Sequence, residues 1–344
     1  MKGKPQFVHG LELNKGFYFD AVKPLLEKAY PKLDYSASLI GYGSDVMGFD
    51  TEISMDHNWG PRGQIFVDDK SLIPEIKNYL SLELPFLYKG FSVNFTDPGY
   101  DKTQSMELAE RKPLNHLIEV TSFEDYLASY LRTDRINNFT NTEWLRFSDQ
   151  KLIEITAGKV FHDGLNKLNN TRKELSFYPM DVCKLRMAVL WFYISNKEAF
   201  IGRSGALDDI IGLKIMAGRI VNYLIKICFY LEGKYIAYSK WFGTSFKKLK
   251  SFNEIGPLVK DVLLENDPRL IEEKLCRLYS AVIKKHNETK GLPRLDNAIR
   301  NYFGRPYKVI FAENIIEALK NSIDDPEVKN TDIRKYGLDI VIDE

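Results

Sequence analysis

The chain of 344 residues is long enough for two domains, each with its own hydrophobic core. Hydrophobic residues make up 44% of it and charged residues 28%, which is typical of a globular protein. Its 48 Lys and Arg residues nearly balance 47 Asp and Glu residues, so the formal net charge is +1. Proteins that grip long nucleic acid usually carry a clear basic excess, so this balance argues against a duplex-binding protein.

The cysteines and the N-terminus bear on the compartment. The three cysteines are far apart and show no CxxC spacing, so the sequence predicts neither a zinc site nor a disulfide framework. No apolar run of the kind that a signal peptide needs follows Met1, and the apolar stretch at 220–231 is too short to span a bilayer. We therefore expect a cytoplasmic protein with no membrane partner.

The first third of the chain alternates between patterns typical of helices and of strands. Apolar residues on one helical face predict helices over 16–30 and 71–84. Short apolar or alternating runs predict strands over 36–42, 54–67, 91–95 and 117–121. Residues 97–113 are polar and rich in turn formers, which predicts a loop. Together these elements indicate a small mixed sheet with flanking helices.

The pattern changes at about residue 122, after which strand signals are rare. Amphipathic helices are predicted over 123–131, 143–156, 182–195, 207–231, 257–264, 268–286 and 312–323. The predicted fold class is therefore α+β or α/β, with an N-terminal domain over 1–135 and a C-terminal α-helical bundle domain over 136–344.

One short motif carries the chemistry that the sequence suggests. Gly43 and Ser44 close an apolar run, and Asp56 and Asn58 follow after twelve and fourteen residues. A Gly-Ser turn, with a helix beginning behind it, brings backbone N–H groups close to phosphate oxygens. On a strand, residues 56 and 58 point to one face and would share a magnesium ion. Both patterns are also common in ordinary loops.

A third acidic residue completes the predicted constellation. Glu119 stands alone in the apolar strand Leu-Ile-Glu-Val-Thr, from which its carboxylate would bind a second metal ion or accept a proton from an attacking hydroxyl. The alternative is an acid on an edge strand that simply faces water.

Several longer strings resemble the bacterial DUF4037 family, which lies in the DNA polymerase β-like nucleotidyltransferase superfamily. The resemblance is carried by residues 39–51, 56–62, 156–164, 178–182, 235–246 and 304–307. It implies a nucleotidyltransferase-like fold in the N-terminal domain, followed by a helical domain that binds substrate or a partner. It does not imply a particular substrate.

The resemblance also implies roles for individual residues. Gly43 and Ser44 correspond to the phosphate-binding turn, and Asp56 to the first metal-binding carboxylate. Asn58 stands where such sequences often have Asp, so it would coordinate magnesium without contributing charge. Catalysis would then depend on Glu119, with Asp50 as a further candidate to make up the deficit.

Three more residues are candidates for nucleotide binding. Arg62 either pairs with nucleotide phosphates or anchors the turn at 59–61 through a salt bridge. Lys240 and Trp241 lie in an aromatic and basic tract that would cover the base or the acceptor. The alternative for this tract is packing between two helices.

The function predicted from these residues is transfer of a nucleoside monophosphate from an NTP to a hydroxyl group, with Mg²⁺ or Mn²⁺ as the cofactor. The acceptor is expected to be a small molecule, and the sequence allows a homodimer. Because Asn58 contributes no charge to the metal site, it favours an alternative, in which the protein is a non-catalytic nucleotide-binding or regulatory protein. A third hypothesis is nucleotidyl transfer to a protein or tRNA acceptor.

Overall fold

The computed structural model describes residues 5–336. Residues 1–4, which entered the signal-peptide argument, lie outside this range, as do residues 337–344 of the predicted helical domain. Within it the α-helices are α1 (Gly10–Phe17), α2 (Lys23–Ala29), α3 (Ile73–Glu83), α4 (Phe123–Leu131), α5 (Asn141–Arg146), α6 (Asp149–Thr156), α7 (Leu168–Glu174), α8 (Met180–Ala206), α9 (Ile210–Leu231), α10 (Ser239–Phe246), α11 (Phe252–Leu264), α12 (Pro268–Glu288), α13 (Ala312–Asn321) and α14 (Pro326–Lys329). A π-helical turn, Tyr18–Val22, joins α1 to α2.

The described strands form one four-stranded sheet and two short hairpin-like pairs. They are β1 (Tyr35–Leu39), β2 (Arg62–Val67), β3 (Leu87–Tyr88), β4 (Phe91–Ser92), β5 (Leu117–Thr121), β6 (Lys159–Asp163), β7 (Arg300–Asn301) and β8 (Lys308–Val309). The four-stranded sheet has the order β5-β2-β1-β6. Because β2 runs antiparallel to β1 and parallel to β5, the sheet is mixed, as predicted.

Contacts divide the chain into two compact units. The first comprises residues 1–139 and 151–176, and the second comprises residues 140–150 and 177–344. The first unit therefore includes β6, which follows α6 in the chain. The predicted boundary after residue 135 is a statement about which segments fold as separate domains, and it stays a prediction.

The two faces of the four-stranded sheet differ in polarity. Ala37, Ile65, Val67, Ile118 and Val120 belong to a buried apolar cluster that also takes in residues of α1 and α3. Since side chains alternate along a strand, the intervening positions point to the opposite face. That opposite face carries the polar side chains from which the candidate site is built.

Helix α4 packs on the polar face of the sheet. Ser122 caps its N-terminus by accepting a hydrogen bond from the Asp125 N–H at 3.1 Å. Phe123 and Tyr126 both pack edge-on against Phe66 of β2, with ring centroids 5.3 and 5.4 Å apart. The helix thus fixes the Tyr126 side chain beside the sheet.

The second unit consists mainly of helices. Helices α8 and α9 are long, and both bury much of their length. At the base of α8 the buried Arg186 donates hydrogen bonds to the Phe147 carbonyl and to Asp149, and Asp149 also accepts from the Tyr230 hydroxyl. Within residues 5–336, no helix is both long and apolar enough to cross a membrane.

Most predicted elements are confirmed, and one error matters for function. The strand predicted over 54–67 begins only at Arg62, so its first half is wrong. Residues 55–61 are irregular backbone, with positive φ at Asn58 (50°) and Gly60 (140°). A strand needs extended backbone, which these φ values exclude. Strand β6 was missed, since its sequence KVFHD gives no clear alternating pattern.

Candidate functional site

The turn that follows β1 has an alternating backbone conformation. Gly41 has φ of 90° and Gly43 has φ of 137°, whereas Tyr42 and Ser44 keep negative φ. Positive φ favours glycine, so the Gly-x-Gly sequence specifies the bend. The Gly41 N–H donates to the Glu154 carbonyl at 2.8 Å, which fixes the start of the turn.

Consecutive backbone N–H groups in this turn have no acceptor among residues 5–336. Within the described residues, the N–H groups of Tyr42, Gly43 and Ser44 donate no hydrogen bond. Gly43 and Ser44 are half-buried, and Tyr42 is 51% exposed. Successive N–H groups in a turn of this kind form a concave nest for anions. The helix expected behind the turn is absent, because residues 44–48 form further turns.

A buried ion pair lies against the nest. Arg62 Nη2 donates to Asp45 Oδ1 at 2.7 Å and to the Tyr42 carbonyl at 3.1 Å. Arg62 is only 6% exposed and Asp45 only 2%. An ideal Cβ on Gly43 would lie 2.2 Å from Asp45 Oδ1 and 2.5 Å from Arg62 Nη2, so only glycine fits between the nest and this pair. Arg62 therefore anchors the turn at 41–45 and not the turn at 59–61.

Strand β2 presents Arg62 and Gln64 on the polar face, at positions i and i+2. The Gln64 amide bonds to both the N–H and the carbonyl of Ile40, at 3.0 and 3.1 Å, and so extends the pairing beyond the end of β1. In the parallel register Gln64 stands opposite Glu119 of β5. The strand beside the turn therefore carries a cation and a neutral amide.

Glu119 of β5 and Tyr126 of α4 complete the polar face. Partial desolvation raises the pKa of the Glu119 carboxyl although its side chain is exposed, and Lys77 opposes this shift. Desolvation, followed by the charges of Glu119 and Glu154, raises the pKa of the Tyr126 hydroxyl, while Arg62 lowers it. These charges therefore lie close to one hydroxyl group.

Three buried polar atoms of this region have no hydrogen-bond partner among residues 5–336. They are Asp45 Oδ2, Arg62 Nε and the Tyr126 hydroxyl oxygen. An ideal Cβ on Gly41 would lie 2.8 Å from that hydroxyl, which places Tyr126 against the turn. Buried polar groups without partners are costly, so their concentration at one place is typical of a functional site.

Asp56 and Asn58 are placed differently from the prediction. Asp56 Oδ1 accepts a hydrogen bond from the adjacent His57 N–H at 2.9 Å. Asn58 Oδ1 accepts from the Gln104 N–H at 3.0 Å, and the Asn58 N–H donates to the Gln104 carbonyl at 2.7 Å. Asn58 thus joins two loops, and its left-handed conformation is one that Asn tolerates well.

The magnesium ion implied by the resemblance does not fit these residues. Positions 56 and 58 lack the strand that would align their oxygens, and the oxygen of Asn58 already accepts a backbone N–H. On β2 the i, i+2 pair is Arg62 and Gln64, so neither of these positions offers a carboxylate to a metal ion. Within residues 5–336, no group of three or more His, Cys, Asp or Glu residues is arranged to hold a metal.

The remaining candidates have structural partners or belong to the second unit. Asp50 is buried and accepts hydrogen bonds from the Gly10 N–H at 2.7 Å and from Trp59 Nε1 at 3.1 Å. Lys240 and Trp241 lie on α10 in the second unit, where the Lys240 ammonium stands 5.3 Å from the Trp241 ring centroid. Their part in nucleotide binding stays a prediction.

Sequence reasoning missed Asp45, Gln64 and Tyr126. Asp45 directly follows the Gly-Ser pair, but its contact with Arg62 joins two segments that only the β1–β2 pairing brings together. Gln64 directly precedes the apolar run Ile65-Phe66-Val67 and lies two residues after Arg62, and this i, i+2 pair of polar side chains is the signal that would have identified the polar face.

A model of the DUF4037 family, a domain of unknown function, matches residues 144–242, which confirms the resemblance to that family. The matched range does not include the nest or β2. The crystal structure of a nucleotidyltransferase-like protein from Exiguobacterium sibiricum 255-15 is similar to this chain at 13% identity, covering 78% of this chain and 76% of that chain, with a TM-score of 0.36. No curated protein matches the chain.

Proposed function

We propose that the protein binds a nucleotide, with a phosphate group held by the nest at Tyr42, Gly43 and Ser44, and that this binding is its function. The observation that carries the proposal is a run of three N–H groups at a glycine turn, on exposed or half-buried residues, that donate to no group in the described part of the chain. Phosphate oxygens are strong acceptors, and several N–H groups that converge on one of them replace its hydration shell.

Features around the nest favour a nucleotide over inorganic phosphate. The Tyr42 ring is half-exposed beside the nest, and the Arg62 guanidinium lies 5.8 Å from its centroid on the protein side. A ring held in this way offers a stacking surface for a base next to the phosphate site. The resemblance to the nucleotidyltransferase superfamily supports the same ligand class.

The test is calorimetric titration of the purified full chain with ATP, GTP, CTP, UTP and inorganic phosphate. We expect saturable binding of at least one nucleotide, tighter than that of phosphate. Gly43→Ala should weaken this binding about tenfold or more, because its Cβ would displace Asp45 and Arg62 from beneath the nest.

Gly48→Ala is the matched control for this substitution. Gly48 lies in the same turn region and also has positive φ, 68°, but nothing lies within 4 Å of an added Cβ. It should therefore introduce a positive-φ alanine without a clash, and leave nucleotide affinity unchanged. Absence of binding by every nucleotide, or equal affinity of Gly43→Ala and the wild type, would contradict the proposal.

Nucleotidyl transfer is a second candidate, favoured by Glu119. Its carboxyl has a raised pKa and stands opposite Gln64 on the polar face, as expected of a base that takes a proton from an acceptor hydroxyl. Incubation with α-labelled NTPs and small-molecule, protein and tRNA acceptors tests it. Label incorporation that Glu119→Gln abolishes would support transfer, whereas nucleotide binding without incorporation supports the non-catalytic function.

A further inference from the structure

We propose that Arg62 takes the place of a metal ion at this site, so that the protein binds nucleotide phosphate without a divalent cation, and that Asp45 sets the affinity by competing for the same arginine. This inference rests on the proposed function of the nest. Its basis is the placement of one buried ion pair directly beneath the anion-binding backbone.

The position of the guanidinium makes it the natural counter-charge for a bound phosphate. Because an ideal Cβ on Gly43 would clash with Arg62 Nη2 and Asp45 Oδ1, both of these atoms lie close to the Cα of Gly43. A phosphate on the nest N–H groups would therefore lie close to the positive charge of Arg62, which is itself largely shielded from water. Charges interact more strongly there than at an exposed surface.

The ion pair is incompletely satisfied, which leaves room for a further partner. Arg62 Nε is buried and donates to no group among residues 5–336, and Asp45 Oδ2 accepts from none. Asp45 Oδ1 is held by Arg62 and by the Val46 N–H at 3.0 Å. A buried arginine with one carboxylate partner and an unused donor retains capacity to stabilise a second anion.

Asp45 has the opposite effect on ligand binding. Its carboxylate neutralises Arg62 and places a negative charge on the protein side of the nest, where it repels phosphate. Asparagine has the same shape, and its amide oxygen can still accept from Arg62 Nη2. Asp45→Asn therefore removes the repulsion while keeping the contact that shapes the turn.

The decisive experiment is titration with ATP in EDTA and in excess Mg²⁺, using the wild type and Asp45→Asn. We expect ATP to bind in EDTA, and we expect Mg²⁺ not to strengthen the binding. When ATP chelates Mg²⁺, the ion neutralises part of the phosphate charge that would otherwise interact with Arg62. Asp45→Asn should bind about tenfold more tightly, which corresponds to removal of one unfavourable charge interaction. A purely structural Asp45 would give weaker binding or none on substitution.

Two further variants exclude trivial results. Arg62→Lys keeps the charge but loses the planar fork, so affinity should fall about tenfold while the protein stays folded. The double variant Asp45→Asn/Arg62→Gln buries no charge at either position and should fold without binding ATP. Circular dichroism spectra and thermal unfolding verify that each variant is folded. Asp56→Asn, an exposed loop change, should leave affinity and its metal independence unaltered.

The outcomes separate this inference from the proposed function. Binding by the wild type that needs Mg²⁺, with no gain in Asp45→Asn, overturns the role of Arg62 and leaves nucleotide binding in place. Binding that needs Mg²⁺ and is lost in Asp56→Asn restores the metal pair at 56 and 58. Absence of nucleotide binding in both the wild type and Asp45→Asn overturns the inference together with the proposed function.

Discussion

The turn at 41–48 and the loop at 55–61 both contain residues of the motif that first suggested a phosphate and metal site, yet their side chains and backbone are used differently. In the turn, three successive backbone N–H groups have no acceptor in the described chain, and a buried ion pair supports them. In the loop, the Asn58 amide and N–H are both engaged with Gln104. The turn therefore has free donors that can bind a ligand. In the loop, the polar groups of Asn58 stabilise the conformation of the loop itself.

The difference also shows how charge is distributed along β2. A metal-dependent site would place carboxylates beside the turn, and this strand places Arg62 and Gln64 there. A phosphate can be stabilised by a metal ion or by an arginine, and the two solutions require opposite charges on the protein. The following changes test whether the turn and the loop differ in this way, and they are given in decreasing order of the effect that we expect.

Arg62→Gln should have the largest effect on the turn. It leaves the Asp45 carboxylate buried without a counter-charge, and breaking a buried pair in this way costs about 3–5 kcal/mol of unfolding free energy. Urea unfolding measures this loss. The double variant with Asp45→Asn should recover most of it, and equal losses in the single and double variants would show that the pair does not act as a unit.

Gly43→Ala should destabilise the protein more than Gly48→Ala. Both substitutions place alanine at a positive φ, which costs about 1–2 kcal/mol at residue 48 and at least as much at residue 43, whose φ lies outside the left-handed α region. Only residue 43 would also clash with the ion pair, which adds about 1–3 kcal/mol. Equal midpoints in urea unfolding of the two variants would show that Gly43 does not lie against Arg62 and Asp45.

Asn58→Ala should act on the loop alone. It removes the acceptor for the Gln104 N–H, a loss of about 1 kcal/mol, and nucleotide affinity should stay at the wild-type value. Asn58→Asp keeps an acceptor at the same place and is the matched control, with stability within about 0.5 kcal/mol of the wild type. A change of affinity in either variant would connect the loop to the ligand site.

Glu119→Gln should have the smallest effect, visible in the pH dependence of stability. The folded-state pKa of Glu119 is raised, so the folded protein holds this proton more tightly than the unfolded chain. Its contribution to stability is complete below the ordinary glutamate pKa of 4.5 and is lost as pH rises through the raised value. Between pH 4 and pH 7 the free energy of unfolding should therefore decline slightly less in Glu119→Gln than in the wild type. Urea unfolding at each pH measures it, and identical curves for the two proteins would contradict the raised pKa of Glu119.

Much of the fold could be predicted from the sequence because its elements have clear local patterns. Helix α4 and strand β5 lie where periodicity places them, and α2 lies within the helix predicted over 16–30. The Gly-x-Gly-Ser turn was also predictable, since glycine at positive φ leaves a recognisable sequence. Local patterns therefore located the turn correctly.

The chemistry of the site was less predictable because it depends on pairing between distant segments. Spacing alone put Asp56 and Asn58 on a strand, and the strand begins six residues after Asp56, at Arg62. Asp45 and Arg62 are 17 residues apart and meet only because β1 and β2 pair in one particular register. Nothing in the local sequence of either residue specifies that register.

The central claim is that the turn binds nucleotide phosphate through its backbone and Arg62, independently of the loop at 55–61. Titration of the wild type and Asp56→Asn with ATP in EDTA tests it most directly. We expect saturable binding with the same dissociation constant for both proteins. Binding that appears only with Mg²⁺ and disappears in Asp56→Asn would contradict it.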